Sequence, residues 1–167
     1  MRMINVREAL ATAVMFVAAA AVTHAAAQTA PSFDHRDFAS AKEVQAQVAA
    51  MLAEMKPGQG FAWRPLVEDP SHTVAVEIWK KPGRPAVHPA EAEYAVVLEG
   101  TGTLVSGGTL IAPATRRGGL VEGERIEGGA TRALRKGDVL LIPAGVPHWF
   151  GITGERLVLL GTKLPVR

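Results

Sequence analysis

The sequence predicts an all-β domain preceded by one helix, and three observations carry that expectation. From Thr73 onward the chain breaks into short runs rich in apolar and β-branched residues. Turn signals separate them at Lys81-Pro82-Gly83-Arg84, Gly107-Gly108, Gly118-Gly119, Gly128-Gly129 and Pro143-Ala144-Gly145, the pattern of a β-sandwich or barrel. Between Ser40 and Met55 the apolar residues recur at helical spacing instead. No segment repeats another, so a single barrel is expected.

The elements follow in chain order. Arg2 and Arg7 precede an apolar run from Ala9 to Val22, and Ala25-Ala26-Ala27 stands before Gln28. This is the pattern of a signal peptide over residues 1–27, with export to the periplasm or beyond. The run is shorter than the roughly 20 apolar residues a membrane span needs; an uncleaved N-terminal anchor is the alternative. Residues 28–60 are expected to form an arm and a helix, and residues 61–167 the β-barrel domain. Ser40-Ala41-Lys42-Glu43 has the form of a capping box. Val44, Val48, Leu52 and Met55, with Met51 alongside, give the helix one apolar face, and Pro57-Gly58 stops it.

In Thr73 to Trp79, Val74, Val76 and Ile78 alternate with Thr73, Ala75 and Glu77, as in a strand. Arg84 to His88 and Glu93 to Leu98 are the next expected strands, with Gly100 ending the second. The glycine-rich stretch from Ala112 to Glu124 is expected to be an extended loop. Val139 to Ile142, His148 to Ile152 and Arg156 to Thr162 supply the remaining strands.

Composition narrows the chemistry. The 167 residues contain no cysteine, which removes disulfides, thiolate ligands and thiol nucleophiles. The formal net charge of +2 comes without a basic cluster; Lys80-Lys81 and Arg116-Arg117 are isolated pairs on expected turns. A nucleic-acid partner needs a concentrated basic face, so none is expected. Imidazole and carboxylate remain to carry any chemistry.

Two clusters do so. Gly137, Pro143, Gly145 and His148 form G-x5-P-x-G-x2-H, and His88, Glu93 and Gly100 form H-x4-E-x6-G. With these residues the chain resembles the cupin superfamily from about Phe61 to Pro165. The first cupin motif carries an H-x-H pair, and here its leading histidine position is Ala86. The leading glycine of that motif falls at Lys80 and the trailing asparagine of the second at Ile152. On spacing alone, a strand-end histidine and a solvated turn glutamate fit His88 and Glu93 equally well.

The resemblance implies a cupin jelly-roll barrel. It also implies one divalent metal ion per chain on His88, Glu93 and His148, with iron or manganese favoured and zinc or nickel as alternatives. Two imidazoles and a carboxylate leave coordination positions open for a small oxygen-rich organic molecule or dioxygen. The expected activity is that of a dioxygenase, ahead of a lyase or isomerase; a non-catalytic binder of a small ligand or metal is the alternative. Ala95 and Val97, sharing the face of Glu93, and Phe150, sharing that of His148, are candidate pocket residues. Glu77 is a candidate base, although a solvated strand face also suits it, and solvation suits Glu91. Phe61, Trp63, Trp79 and Trp149 are expected to pack in the core or at an interface, and His35 and His72, outside both motifs, to lie on the surface or just behind the ligands. A homodimer is expected, because a small barrel without disulfides has sheet edges and apolar surface to cover.

Overall fold

A computed structural model describes residues 37–166; the expected signal peptide and His35 lie outside the described residues. Helix α1 spans Ala41–Glu54. The Ser40 hydroxyl accepts the Glu43 backbone N–H, while the Glu43 carboxylate accepts the Ser40 N–H at 2.7 Å, so the capping box is formed. Strand β1 (Phe61–Glu68) pairs antiparallel with β2 (Thr73–Trp79), Phe61 opposite Trp79. Then come β3 (Ala86–Val87), β4 (Glu91–Ser106), β5 (Thr109–Ile111), β6 (Ala114–Thr115), β7 (Val121–Glu122), β8 (Arg125–Glu127), β9 (Ala130–Arg135), β10 (Val139–Ile142) and β11 (His148–Pro165).

The fold is an all-β jelly roll of antiparallel strands with one helix. Its spine is the antiparallel pair of long strands β4 and β11. β2 continues the sheet on the far side of β11, and β10 and β9 follow along the other edge of β4. β3, β7 and β6 extend it near His148, while β5 and β8 form a separate two-stranded sheet.

Alternation along β2 splits the core in two. Val76 and Ile78 face outward and are buried with Val158 under Val48 and Met51 of α1. The opposite face of the sheet packs Ala95, Val97, Leu104, Leu134, Leu140, Ile142, Phe150, Leu157 and Leu159 inside the barrel. α1 therefore seals the outer face of one sheet and does not enter the interior.

Three expected boundaries are corrected. Gly100 does not end a strand: it sits inside β4 at φ +80°, and a Cβ there would lie 1.9 Å from the Arg156 carbonyl oxygen. The expected strands 148–152 and 156–162 are one strand, because Ile152 pairs with Gly102 and Leu157 with Gly100. Residues 153–156 bulge out opposite Thr101 without breaking the ladder. Finally, the 112–124 loop is more ordered than expected, since β6 and β7 pair with each other and β7 pairs with β3.

Candidate metal centre

The cavity floor follows from the register of three strands. Lys163 lies opposite Glu93 on the β11–β4 ladder, Gly161 opposite both Ala95 and Ala75, and Leu159 opposite both Val97 and Glu77. A row of Ala, Gly and Ala thus separates the charged pair from Glu77. Two of these small residues, Ala75 and Gly161, line a small cavity beside Glu93 and Lys163.

His148 arrives from the other end of β11. The turn before it is fixed by Pro143 and by Gly145, whose φ of +77° strains any residue with a Cβ. The Gly145 N–H donates to the His88 carbonyl at 2.9 Å, and the Gly107 N–H to the Pro147 carbonyl at 2.9 Å. The turn that aims His148 is thereby tied to the residue it must meet. His148 Nδ1 lies 3.2 Å from the Val146 carbonyl oxygen. When Nδ1 donates in that contact, Nε2 is the nitrogen that can offer a lone pair to an ion.

The two histidines and Glu93 come together. His148 Nε2 lies 3.2 Å and His88 Nε2 3.5 Å from Glu93 Oε2. The imidazole rings stack with centroids 5.5 Å apart, and one ligand atom from each residue falls within 4.8 Å of the others. Glu93 and His148 are each 5% exposed. Lys163 makes an ion pair with the same Glu93 oxygen. Burial pushes the Glu93 carboxyl up, but the His148 hydrogen bond and the Lys163 ammonium outweigh it and hold the group at about 2. Burial, with the Lys163 charge, lowers His88 to about 4. At neutral pH the cluster therefore offers a carboxylate and a neutral His88 imidazole. This donor set fits a divalent first-row ion, and all its ligand atoms are nitrogen or oxygen.

The cluster opens into a cavity of about 480 Å³. Phe61, Trp63, Trp79, Trp149 and Phe150 line it, so the four aromatics expected in the core or at an interface form the cavity wall. Trp149 is held there by its indole N–H, which donates to the Gly83 carbonyl at 2.9 Å. Phe150 lies on this lining as well. Ala95 and Val97 share the inward face of Glu93, yet each is 1% exposed and packed into the core; the cavity does not reach them, and they support the floor from beneath.

Glu77 turns inward, contrary to a solvated face. It lines the cavity and accepts the Trp79 indole N–H at 3.1 Å. Burial, reinforced by the Glu93 charge, raises its carboxyl above the usual range. Glu91 is more open, with His88 Nδ1 3.9 Å from its carboxylate. His72 pairs instead with Asp69 on the exposed β1–β2 turn. Sequence reasoning missed Lys163, Arg84, Leu120 and Glu122 of the lining. Two-residue alternation from Leu157 through Leu159 and Gly161 would have found Lys163, had the last strand not been ended at Thr162. Leu120 and Glu122 carry no comparable signal, because the segment that presents them reads only as turns.

Residues 83–162 match the family model described as Cupin. Curated protein sequences give no match. Among solved structures, the chain is similar to a recombinant oxalate oxidase in complex with glycolate. The identity there is 16% and the TM-score 0.47, covering 65% of this chain and 52% of the other. It is also similar to hydroquinone 1,2-dioxygenase PnpCD in complex with Cd2+ and 4-hydroxybenzonitrile (20%, TM-score 0.48, 61% and 63%). A third is TT1209 from Thermus thermophilus (19%, TM-score 0.49, 70% and 93%). The chain spans about half the length of the oxalate oxidase.

Proposed function

We propose that the protein is a metal-dependent cupin enzyme that acts on a small oxygen-rich organic molecule, with a dioxygenase favoured over a lyase or isomerase. The observation that carries this reading is the convergence of His88, Glu93 and His148 at the floor of an aromatic-walled cavity. These residues would hold one divalent ion, iron or manganese ahead of zinc or nickel. Such an ion, when bound, supplies Lewis acidity and open positions for a chelating oxygen ligand.

The chain's own residues do the rest. His88 presents a neutral nitrogen, and the Val146 carbonyl oxygen engages His148 Nδ1, which leaves Nε2 to face the ion. Trp79, Trp149 and Phe150 exclude water, which strengthens polar contacts inside. Glu77 holds a proton more tightly than an ordinary carboxyl and sits on the same lining, which suits it to move a proton to or from the bound molecule.

One observation favours a second reading. Lys163 already balances the Glu93 charge, as it would in a metal-free barrel that binds a small ligand without turning it over. The test is to load metal-free protein separately with iron, manganese and zinc, and to assay enolic and catecholic compounds with and without oxygen. Oxygen-dependent turnover with iron supports the dioxygenase. Oxygen-independent turnover with manganese or zinc supports a lyase or isomerase. Stoichiometric ligand binding without turnover on any metal transfers the assignment to a binding protein.

Export from the cytoplasm and a homodimer belong to the same proposal. Val139 and Leu141 are each 61% exposed on β10, beside Tyr94. They suit a second copy, and light scattering that gives a monomer mass would remove the dimer.

A further inference from the structure

The residue that accounts for the charge balance of the site is Lys163, which neither motif contains. It stands directly opposite Glu93 on the neighbouring strand, with both side chains on the inward face, the closest placement two strands can give a charge pair. Its ammonium holds Glu93 Oε2, and this is the oxygen that His88 Nε2 and His148 Nε2 face at 3.5 and 3.2 Å. Three nitrogens therefore gather round one carboxylate oxygen. Two can donate a lone pair to an ion placed between them; the third, already protonated, cannot. An ion held by His88, Glu93 and His148 would share its oxygen ligand with a positive charge.

We infer that Lys163 is an internal competitor for the metal position: a divalent ion binds by displacing its ammonium from Glu93, so the lysine weakens metal binding and keeps the ion exchangeable. This rests on the metal reading above.

The geometry supplies both ends of the exchange. With the amine in place, the buried carboxylate of Glu93 has a partner, so the barrel does not enclose an unpaired charge. When the amine leaves, it has somewhere to go. Lys163 also lines an adjoining cavity of about 210 Å³ together with Thr73, Ala75, Glu77, Glu91 and Gly161. Glu77 and Glu91 are the carboxylates of that lining apart from Glu93 itself. The unbranched side chain is one-third exposed, and four rotatable bonds let it swing from one cavity to the other.

The test uses the full metal-free chain and titrations of Zn2+ and of Mn2+, each against a competing chelator. Lys163→Met, close to the lysine stem in shape and without its charge, should bind each ion about tenfold more tightly or better, the scale of a like charge removed from within a few ångströms. Lys163→Arg, which keeps a cation, should stay near wild type. If Lys163→Met does not fold, judged by its melting transition, Lys163→Gln takes its place with the same expectation. Metal binding by the neutral variant where wild type binds none also supports the competitor. Equal or weaker affinity in the neutral variants overturns it and leaves the metal reading standing. Absence of binding by all of these proteins overturns both.

Discussion

His148 lies directly across the β3–β11 ladder from Ala86, and both line the cavity. Opposed residues on neighbouring strands have Cβ atoms about 5 Å apart, so a side chain at 86 reaches the space beside the His148 ring. This is the position where the cupin motif would carry its other histidine. Ala86→His should add a ligand, and loss of metal to a chelator should slow severalfold relative to wild type. Equal rates would mean that position 86 does not reach the ion.

His148 itself gives the sharpest test of the ligand set. The residue is 5% exposed and its turn is held by backbone hydrogen bonds independent of the imidazole. His148→Ala should thus keep the fold and lose the ion, with metal content falling from about one per chain toward none. Full occupancy in the variant would disprove the assignment.

Acid should act on the metal-free protein through His88. Its folded value of about 4 lies below the ordinary 6.5. The unfolded chain therefore takes up a proton between those limits while the folded chain does not. The contribution of His88 is fully present above pH 6.5 and is lost as pH falls to about 4, a change on the order of 3 kcal/mol at most. Glu93 extends the loss from its ordinary 4.5 down to about 2. Glu77, raised in the folded state, acts with the opposite sign above its ordinary value. The informative quantity is accordingly the difference between wild type and His88→Gln. Urea midpoints measured across this range should show a shallower acid slope in the variant between pH 6.5 and 4.

Gly100→Ala addresses the bend in β4. Positive φ and a clash with the Arg156 carbonyl act together, and the obstacle is backbone that cannot rotate away. A loss of more than about 2 kcal/mol is expected, read as a fall in the urea midpoint or in soluble yield. Gly137→Ala has a positive φ but nothing within 4 Å, so it should be the milder of the two.

The sequence revealed what depends on local spacing. Ser40 and Glu43, three residues apart, define the helix start, and alternation in Thr73 to Trp79 predicts β2 to the residue. The motif spacings gathered His88, Glu93 and His148. What stayed hidden depends on partners far along the chain. Whether Glu77 faces water or the interior is decided by α1 covering the opposite face of β2, and nothing in β2 itself records this. Whether Ala95 lines the cavity or supports it depends on how deep the cavity runs. Gly100 looked like a terminus because a glycine with positive φ is the same signal at a turn and at a bulge.

Glu93 stands near the start of β4 and His148 at the start of β11. The two strands run antiparallel along their whole length, so these residues belong to opposite ends of one long ribbon. They nevertheless touch at 3.2 Å. The ribbon must curl until its ends meet, and the donor cluster is the clasp where it fastens. An ion on the clasp would resist uncurling of the entire barrel, so its binding free energy would appear as resistance to global unfolding. Metal content would then govern how long the protein survives as well as what it can do.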